Sequence, residues 1–322
     1  MAYTTIDDPT LFFRVKAYSG TGSAHAETFD ITDTSMQPDM VWIKNRSTTG
    51  NHGIWDSVRG ATKQIYPNVN YGESTAANSM TAFNSNGFSV GTDGDQNGSG
   101  NSLVAWCWKA GTSFTNDASS TGIGSIDSAG SVNDTAGFSI CTHTGTGSTA
   151  TIKHGLSTAP KMIITKKRSA TGGWQVGHES IGWGNGVYIN DTDASTGDAG
   201  AWNSTAPTSS IFTVGNSSFT NQSSATYVSY IFAEKKGYSK FGSYAGNGNA
   251  NGTFVYTGFK PAFLIIKVTN SADSWRLFDN KRNTYNPVDI TQRPNTNNAD
   301  YGPDAANNVD FLSNGFKMRT TS

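Results

Sequence analysis

The sequence is poor in charge and in long apolar runs, and each shortage excludes a class of protein. Charged residues make up 15% of the 322 residues, and the formal net charge is −1. Nucleic-acid binding needs a basic face and polybasic membrane attachment needs clustered lysine or arginine, so we expect neither. No apolar run approaches the roughly 18 residues that cross a membrane, and residues 1–9 lack the parts of a signal peptide. We therefore expect synthesis in a cytoplasm, without membrane insertion.

Cysteine and catalytic motifs are equally scarce. The two cysteines, Cys107 and Cys141, lie in different parts of the chain. They are too few for a disulfide framework or a zinc site, and we favour two buried free thiols over a disulfide. The five histidines include no HExxH pair, and no serine is marked as a nucleophile elbow. The sequence therefore predicts that the protein is not an enzyme.

What the sequence does contain is a long internal repeat. Three stretches carry a proline, then an apolar run, then basic or polar residues: 37–46, 159–168 and 260–269. They recur about 100 to 120 residues apart, a spacing typical of tandem domains and not of a solenoid. A tryptophan and a phenylalanine-containing strand follow each stretch: Trp55 and 86–91, Trp174 and 210–215, Trp275 and 314–319. We interpret the three tryptophans as core residues at one recurring position.

The composition predicts β-structure for each copy. The 36 glycines and the many serine, threonine and asparagine residues disfavour helices and suit short strands joined by tight turns. Two copies close with an aromatic strand, 103–109 and 227–233, which the third does not reach before Ser322. We predict an all-β protein of three tandem β-sandwich (jelly-roll) modules, the third lacking its closing strand. The expected ranges are module 1 at 1–111, a flexible linker at 112–136, module 2 at 137–236 and module 3 at 237–322.

Several segments of module 1 resemble a known family. The segments are 4–9, 18–23, 37–46, 56–63, 85–92 and 104–111. They are similar to parts of virion-associated proteins of marine tailed bacteriophages, which carry a repeated module that resembles a concanavalin-like (lectin or SPRY-type) sandwich. The match is dense over residues 4–111 and weaker in the other two modules. The resemblance implies a tail fibre, appendage or particle-surface protein, and it supplies no binding residues.

A glycine-rich stretch peculiar to module 2 is the candidate ligand platform. Trp183, Tyr188 and Trp202 fall there, on segments that the sequence suggests are loops. Exposed aromatic rings among asparagine and aspartate are how proteins stack on sugar rings while hydrogen-bonding their hydroxyls. The competing interpretation is that these rings lodge against a neighbouring subunit or fill the core.

A second candidate is a calcium loop. Asp93, Asp95 and Asn97 place oxygen atoms at positions 1, 3 and 5, with a glycine at position 6, as in the start of an EF-hand. Position 12 is Val104 and not glutamate, so the EF-hand match fails. We favour a plain solvated turn and expect no cofactor, with Ca²⁺ as the alternative.

These observations favour a tailed-phage virion protein, a tail fibre or appendage that contacts the host surface. We expect its partners to be other copies of itself in a homotrimer, other virion proteins, and a host-surface glycan. The alternative is a capsid-decorating or fibre-building subunit without receptor binding. A third, weaker alternative is a carbohydrate-active enzyme.

Overall fold

The computed structural model describes residues 4–31 and 33–321, and within them the protein is all-β. Three short α-helices occur, α1 (Gly94–Asn97), α2 (Ala118–Thr121) and α3 (Ala199–Trp202). Single 3-10 turns lie at Pro9–Leu11, Glu179–Ile181 and Ala305–Asn307. In this described part no helix is long and apolar enough to cross a membrane. The names module 1, module 2 and module 3 are kept for the sequence ranges given above.

Module 1 is built from two antiparallel sheets packed face to face. Its strands are β1 (Phe13–Ser19), β2 (His25–Thr28), β3 (Met40–Asn45), β4 (Gly53–Asp56), β5 (Lys63–Gln64), β6 (Ser74–Thr75), β7 (Met80–Asn84), β8 (Gly87–Val90) and β9 (Ser102–Trp108). One sheet has the order β1-β9-β3-β4, the other the order β2-β8-β7, and β5 pairs with β6. Side chains from both sheets, including Val41, Trp55, Phe88 and Leu103, form one buried cluster. The two layers therefore enclose a core of their own.

Module 2 repeats this arrangement with a longer sheet. Its strands are β12 (Phe138–Thr144), β13 (Ala150–Lys153), β14 (Met162–Lys167), β15 (Trp174–His178), β16 (Asn185–Tyr188), β17 (Thr196–Gly197), β18 (Ile211–Val214) and β19 (Thr226–Phe232). The order β12-β19-β14-β15 matches β1-β9-β3-β4 of module 1. Strands β13 and β18 pair separately, and their residues Ile152 and Phe212 share a second core with Ile163 and Ile231.

The segment 112–136 is not a flexible linker, and that prediction is wrong. It contains β10 (Thr112–Asn116), α2 and β11 (Ser128–Asn133). Strand β10 pairs with β11, and β11 pairs with β12, so both strands extend the sheet of module 2 to eight strands. Small residues suit this role because Gly130 lies beneath the Phe114 ring, where a Cβ would come within 2.8 Å of it.

Module 3 has five strands among the described residues, fewer than the other two modules. They are β20 (Phe254–Tyr256), β21 (Phe263–Ile266), β22 (Arg276–Asp279), β23 (Val309–Leu312) and β24 (Gly315–Met318). Strand β21 pairs with β22, and β20-β24-β23 form a three-stranded sheet. Residues of both sheets, among them Phe278, Val309 and Phe316, form a fourth buried cluster.

The inner sheets of all three modules share one core. Its buried members include Trp42 and Trp106 of module 1, Trp174 and Tyr230 of module 2, and Leu277 of module 3. Strand β3 is buried at every position because Val41 and Ile43 face the core of module 1 while Met40 and Trp42 face the shared core. Module 1 is therefore packed against the other two modules.

Three equivalent contacts close the modules into a ring. The backbone N–H groups of Gly50, Gly172 and Asp273 each donate to a carbonyl of another module at 2.8 Å, the acceptors being Asn297, Asn70 and Thr192 in that order. Module 1 thus binds module 3, module 2 binds module 1, and module 3 binds module 2. Head-to-tail contacts of this kind form a closed ring only when the rotations from each unit to the next add up to a full turn. Each module therefore contacts both of the others, through backbone hydrogen bonds at corresponding positions.

The registers also correct the expected equivalence of the three tryptophans. Trp55 lies opposite Val41 and faces the core of module 1, where Gly177 and Phe278 hold the corresponding positions. Trp174 and Trp275 lie in the shared core, 14 residues after Pro160 and Pro261, whereas Trp55 follows Pro38 by 17. Trp55 is therefore offset by three residues from the position that Trp174 and Trp275 share.

The prediction for the cysteines is confirmed. Cys107 and Cys141 are both buried and both free. Each thiol faces the core of its own module, and burial raises the pKa of Cys141 to about 12. Such thiols are inert packing residues.

Candidate binding surface

The structure places two of the three aromatic residues of the predicted ligand platform inside module 2. Trp202 is fully buried, and its ring meets Trp183, which is 7% exposed, edge-to-face with centroids 5.8 Å apart. Tyr188 is half-buried, and its hydroxyl donates to Asp198 at 3.4 Å. Burial raises the pKa of Tyr188 to about 12. These rings contact each other and their own module, so in this conformation the two tryptophans offer no face to a sugar.

Gly177 explains why the tryptophans are inside. It corresponds to Trp55 of module 1, and a Cβ on Gly177 would come within 2.6 Å of Trp183 and 2.7 Å of Trp202. The volume that one indole fills in module 1 is therefore filled in module 2 by rings from the stretch 182–202. The sequence signal for this is the missing large residue at position 177.

The predicted calcium residues hold loops together instead of converging on a cavity. Asp93 caps α1 by accepting from the N–H of Asp95 at 2.9 Å, and Asp95 accepts from the N–H of Asn51 at 3.1 Å. Asn97 is fully buried, and its amide donates to the carbonyls of Ser23 and Gly91. Burial, with the nearby Asp93 carboxylate, raises the pKa of Asp95.

Module 2 shows what Asn97 does. Asn221 makes the same set of bonds, accepting from the N–H of Thr146 at 2.8 Å and donating to the carbonyls of Ser148 and Gly215. A residue used identically in two modules, one of which has no acidic loop, has a structural role. Across residues 4–31 and 33–321, no group of three or more His, Cys, Asp or Glu side chains could hold a metal ion.

Buried ion pairs lie where the modules meet. Asp279 of module 3 accepts from Arg282 at 2.6 Å and from the indole N–H of Trp106, in module 1, at 3.0 Å. Asp56 of module 1 pairs with Arg59 and accepts from the hydroxyl of Tyr230, in module 2, at 2.7 Å. Burial alone would raise the pKa of Asp279, but the Arg282 guanidinium outweighs burial and lowers it.

The accessible aromatic surface lies in module 3. Of the four exposed large aromatic side chains among the described residues, three are Phe254, Tyr256 and Tyr285. Tyr285 is 84% exposed and lines a cleft of about 210 Å³ together with Lys260, Asn280 and Thr284. The cleft combines an open ring face with ammonium, amide and hydroxyl groups.

The wall of this cleft is held rigidly. Asn286 brackets the backbone of Phe311, accepting from its N–H at 2.9 Å and donating to its carbonyl at 3.0 Å. Asn283 likewise accepts from the N–H of Ile290 and donates to Asp289. No sequence pattern distinguishes this surface, because asparagine-rich segments occur throughout the chain.

The fold and these surfaces define an all-β protein of antiparallel sheets. A family model described as a domain of unknown function, DUF7483, matches residues 8–322, so the chain belongs to that family. A single model spans all three repeats. No curated protein and no solved structure matches the chain.

Proposed function

We propose that the protein is a virion component of a tailed phage, a tail fibre or appendage whose three lectin-like β-sandwich modules contact the host surface. Three observations support this: the resemblance carried by residues 4–111, the low charge, and the ring of all-β modules joined by buried contacts. Three modules joined by buried contacts suit a tail fibre or appendage, because contacting a host surface requires a stable binding surface and no moving catalytic site.

The observation that carries host contact is the cleft beside Tyr285. An exposed ring next to free hydrogen-bonding groups is the chemistry that recognises a sugar, with the ring stacking on the apolar face of the pyranose. Lys260, Asn280 and Thr284 supply donors and acceptors around the ring. The proposed ligand is a surface glycan.

Binding of the purified protein to host cells tests this proposal. Tyr285→Ala is expected to weaken binding by at least about fivefold, since aromatic anchors at interfaces contribute more than about 1 kcal/mol. Tyr71→Ala, at an aromatic residue of module 1 that is 55% exposed, is the matched control and should bind as the unmodified protein does. Extracted host polysaccharide should compete. Equal binding by all three proteins would contradict a glycan site at this cleft.

The second candidate is a structural subunit that binds no receptor. It is favoured by the burial of Trp183 and Trp202, which removes the platform that the sequence offered for a ligand. Normal incorporation into particles, without any binding of the purified protein to host cells, would support this alternative.

A further inference from the structure

The cleft beside Tyr285 holds a single charged side chain. Among its described lining residues that side chain is Lys260, and the others are asparagine, threonine, tyrosine, valine and phenylalanine. Lys260 is exposed and forms no ion pair with the described residues. The cleft is therefore locally positive, on a chain whose formal net charge is −1.

The polar groups of the cleft divide into those that hold its wall and those that are open to a ligand. Asn283 and Asn286 use both the oxygen and the nitrogen of their amides in bonds to other parts of module 3. The side chains of Lys260, Asn280 and Thr284 make no hydrogen bond to the described residues. An ammonium, an amide and a hydroxyl are therefore available around the exposed ring.

The carboxylates closest to the cleft residues along the chain have partners other than the cleft lysine. Asp279 pairs with Arg282 at 2.6 Å, and Asp310 pairs with Arg319 at 3.2 Å. Asp289 accepts from an amide of the cleft wall at 3.0 Å. No carboxylate among the described residues therefore neutralises the lysine through an ion pair.

Module 1 lacks both the cation and the ring at the corresponding positions. Lys260, three residues before β21, corresponds to Gln37, three residues before β3, and Tyr285, six residues after β22, corresponds to Thr62, six residues after β4. Gln37 is exposed although β9 lies beside β3 in that module. Exposure at this position therefore does not depend on the neighbouring strand, and the combination of a cation with a ring is particular to module 3.

We infer that the glycan bound at this cleft is acidic, a sugar that carries a carboxylate or sulfate group paired with Lys260. The inference rests on the proposed function and names the ligand class for the same site. The Tyr285 ring stacks on the sugar, the ammonium meets the anionic group, and the free amide and hydroxyl bind sugar hydroxyls. Carboxylate and sulfate share this chemistry because an ammonium is a point charge that selects no anion geometry.

Binding to three forms of one polysaccharide tests the inference. Extracted host polysaccharide is immobilised untreated, after reduction of its carboxylates to alcohols, and after desulfation. The unmodified protein should bind the form that has lost its anionic group at least about threefold more weakly, the size of an exposed ion pair. Raising the salt from about 0.05 M to about 0.5 M should remove most of that difference, because salt screens exposed charges.

A charge-conserving swap separates a site from general attraction between opposite charges. Lys260→Gln should bind the untreated polysaccharide at least about threefold more weakly and should no longer distinguish the three forms. The double variant Lys260→Gln with Gln37→Lys has the net charge of the unmodified protein and should be equally weak, because module 1 offers no ring there. Lys260→Arg retains the charge and should bind as the unmodified protein does.

The outcomes for the inference and for the proposed function are distinct. If binding depends on Tyr285 but the three forms bind equally to the unmodified protein and to Lys260→Gln, the glycan site stands and its acidic ligand is wrong. Full binding by the swapped double variant would also overturn the inference, because the charge would then act at a distance from the cleft. Absence of binding to every form would contradict the proposed function itself, and the inference with it.

Discussion

At the scale of single residues, the least expected feature is a lysine at one position of all three inner sheets. Lys44 and Lys166 are fully buried, and Lys267 is half-buried. The ammonium group of Lys166 donates to the carbonyl of Gly172 in its own module and to the carbonyl of Asn70 in module 1. Burial lowers the pKa of Lys166 to about 7 and that of Lys44 to about 8. The sequence shows a lysine at the end of the apolar run in each repeated stretch, but it does not show that this lysine is buried.

These lysines give stability an unusual dependence on pH. An unfolded lysine has a pKa of about 10.4, so between about pH 7 and 10 the unfolded chain binds more protons than the folded one. The free energy of unfolding should therefore rise with pH in that window, by up to about 1.4 kcal/mol per pH unit for each such lysine. In urea titrations at pH 7.5 to 9.5 (about two units), Lys166→Met should lose that part of the slope.

The control for this experiment is Lys240→Met, at an exposed lysine that pairs with Glu234. If the pH profiles of the unmodified protein and of Lys166→Met were parallel, the pKa of Lys166 would not be lowered in the folded protein.

At the scale of elements, the strands were largely predictable and their partners were not. The stretch 37–46, a proline followed by an apolar run, contains β3, which spans Met40–Asn45. Proline at the start and an uninterrupted apolar run mark such a strand locally. The pairing of β9 between β1 and β3 brings together residues about 60 to 90 positions apart, and no local pattern encodes that choice.

The structure of the segments between the strands was harder to predict from the sequence than the strands themselves. Residues 182–202 look like an exposed aromatic loop because glycine and asparagine surround the rings. Whether such rings face water depends on the volume available beneath them, which is set by Gly177 of a strand that precedes them. Likewise, 112–136 has few bulky residues yet forms strands, because neighbouring residues of module 2 supply most of the hydrophobic cover.

The packing of α3 on β15 can be tested through Trp202. Its ring is fully buried beside Gly177, so Trp202→Ala should destabilise the protein by about 3–5 kcal/mol, measured by urea unfolding. Tyr71→Ala, at an exposed ring, should change stability by less than about 0.5 kcal/mol. If Trp202→Ala were as mild as Tyr71→Ala, the ring would have to be accessible, and the predicted ligand platform would regain support.

At the scale of the whole molecule, three repeats form one body. The shared core and the three contacts between modules join elements of all three modules. The DUF7483 model likewise covers all three modules, matching residues 8–322. The sequence showed the repeat and suggested a homotrimer of chains. Assembly into trimers stays a prediction, and within one chain each of the three repeats contacts the other two.

The seam between modules 1 and 3 is the critical one, because these modules are not consecutive in sequence. Arg46 and Asp300 meet there in two ways. The Arg46 guanidinium donates to the Asp300 carboxylate at 2.7 Å, and the Asp300 N–H donates to the Arg46 carbonyl at 2.8 Å. Side-chain and backbone contacts both join these two positions, which makes them suitable places to test for a disulfide.

Disulfide trapping across that seam tests the ring most directly. In the double variant Arg46→Cys with Asp300→Cys, mild oxidation followed by peptide mapping should yield a bond between positions 46 and 300 within a single chain. Each single variant should form no such bond. A double variant that forms no such bond, or forms it only between two chains, would contradict a ring closed within one chain.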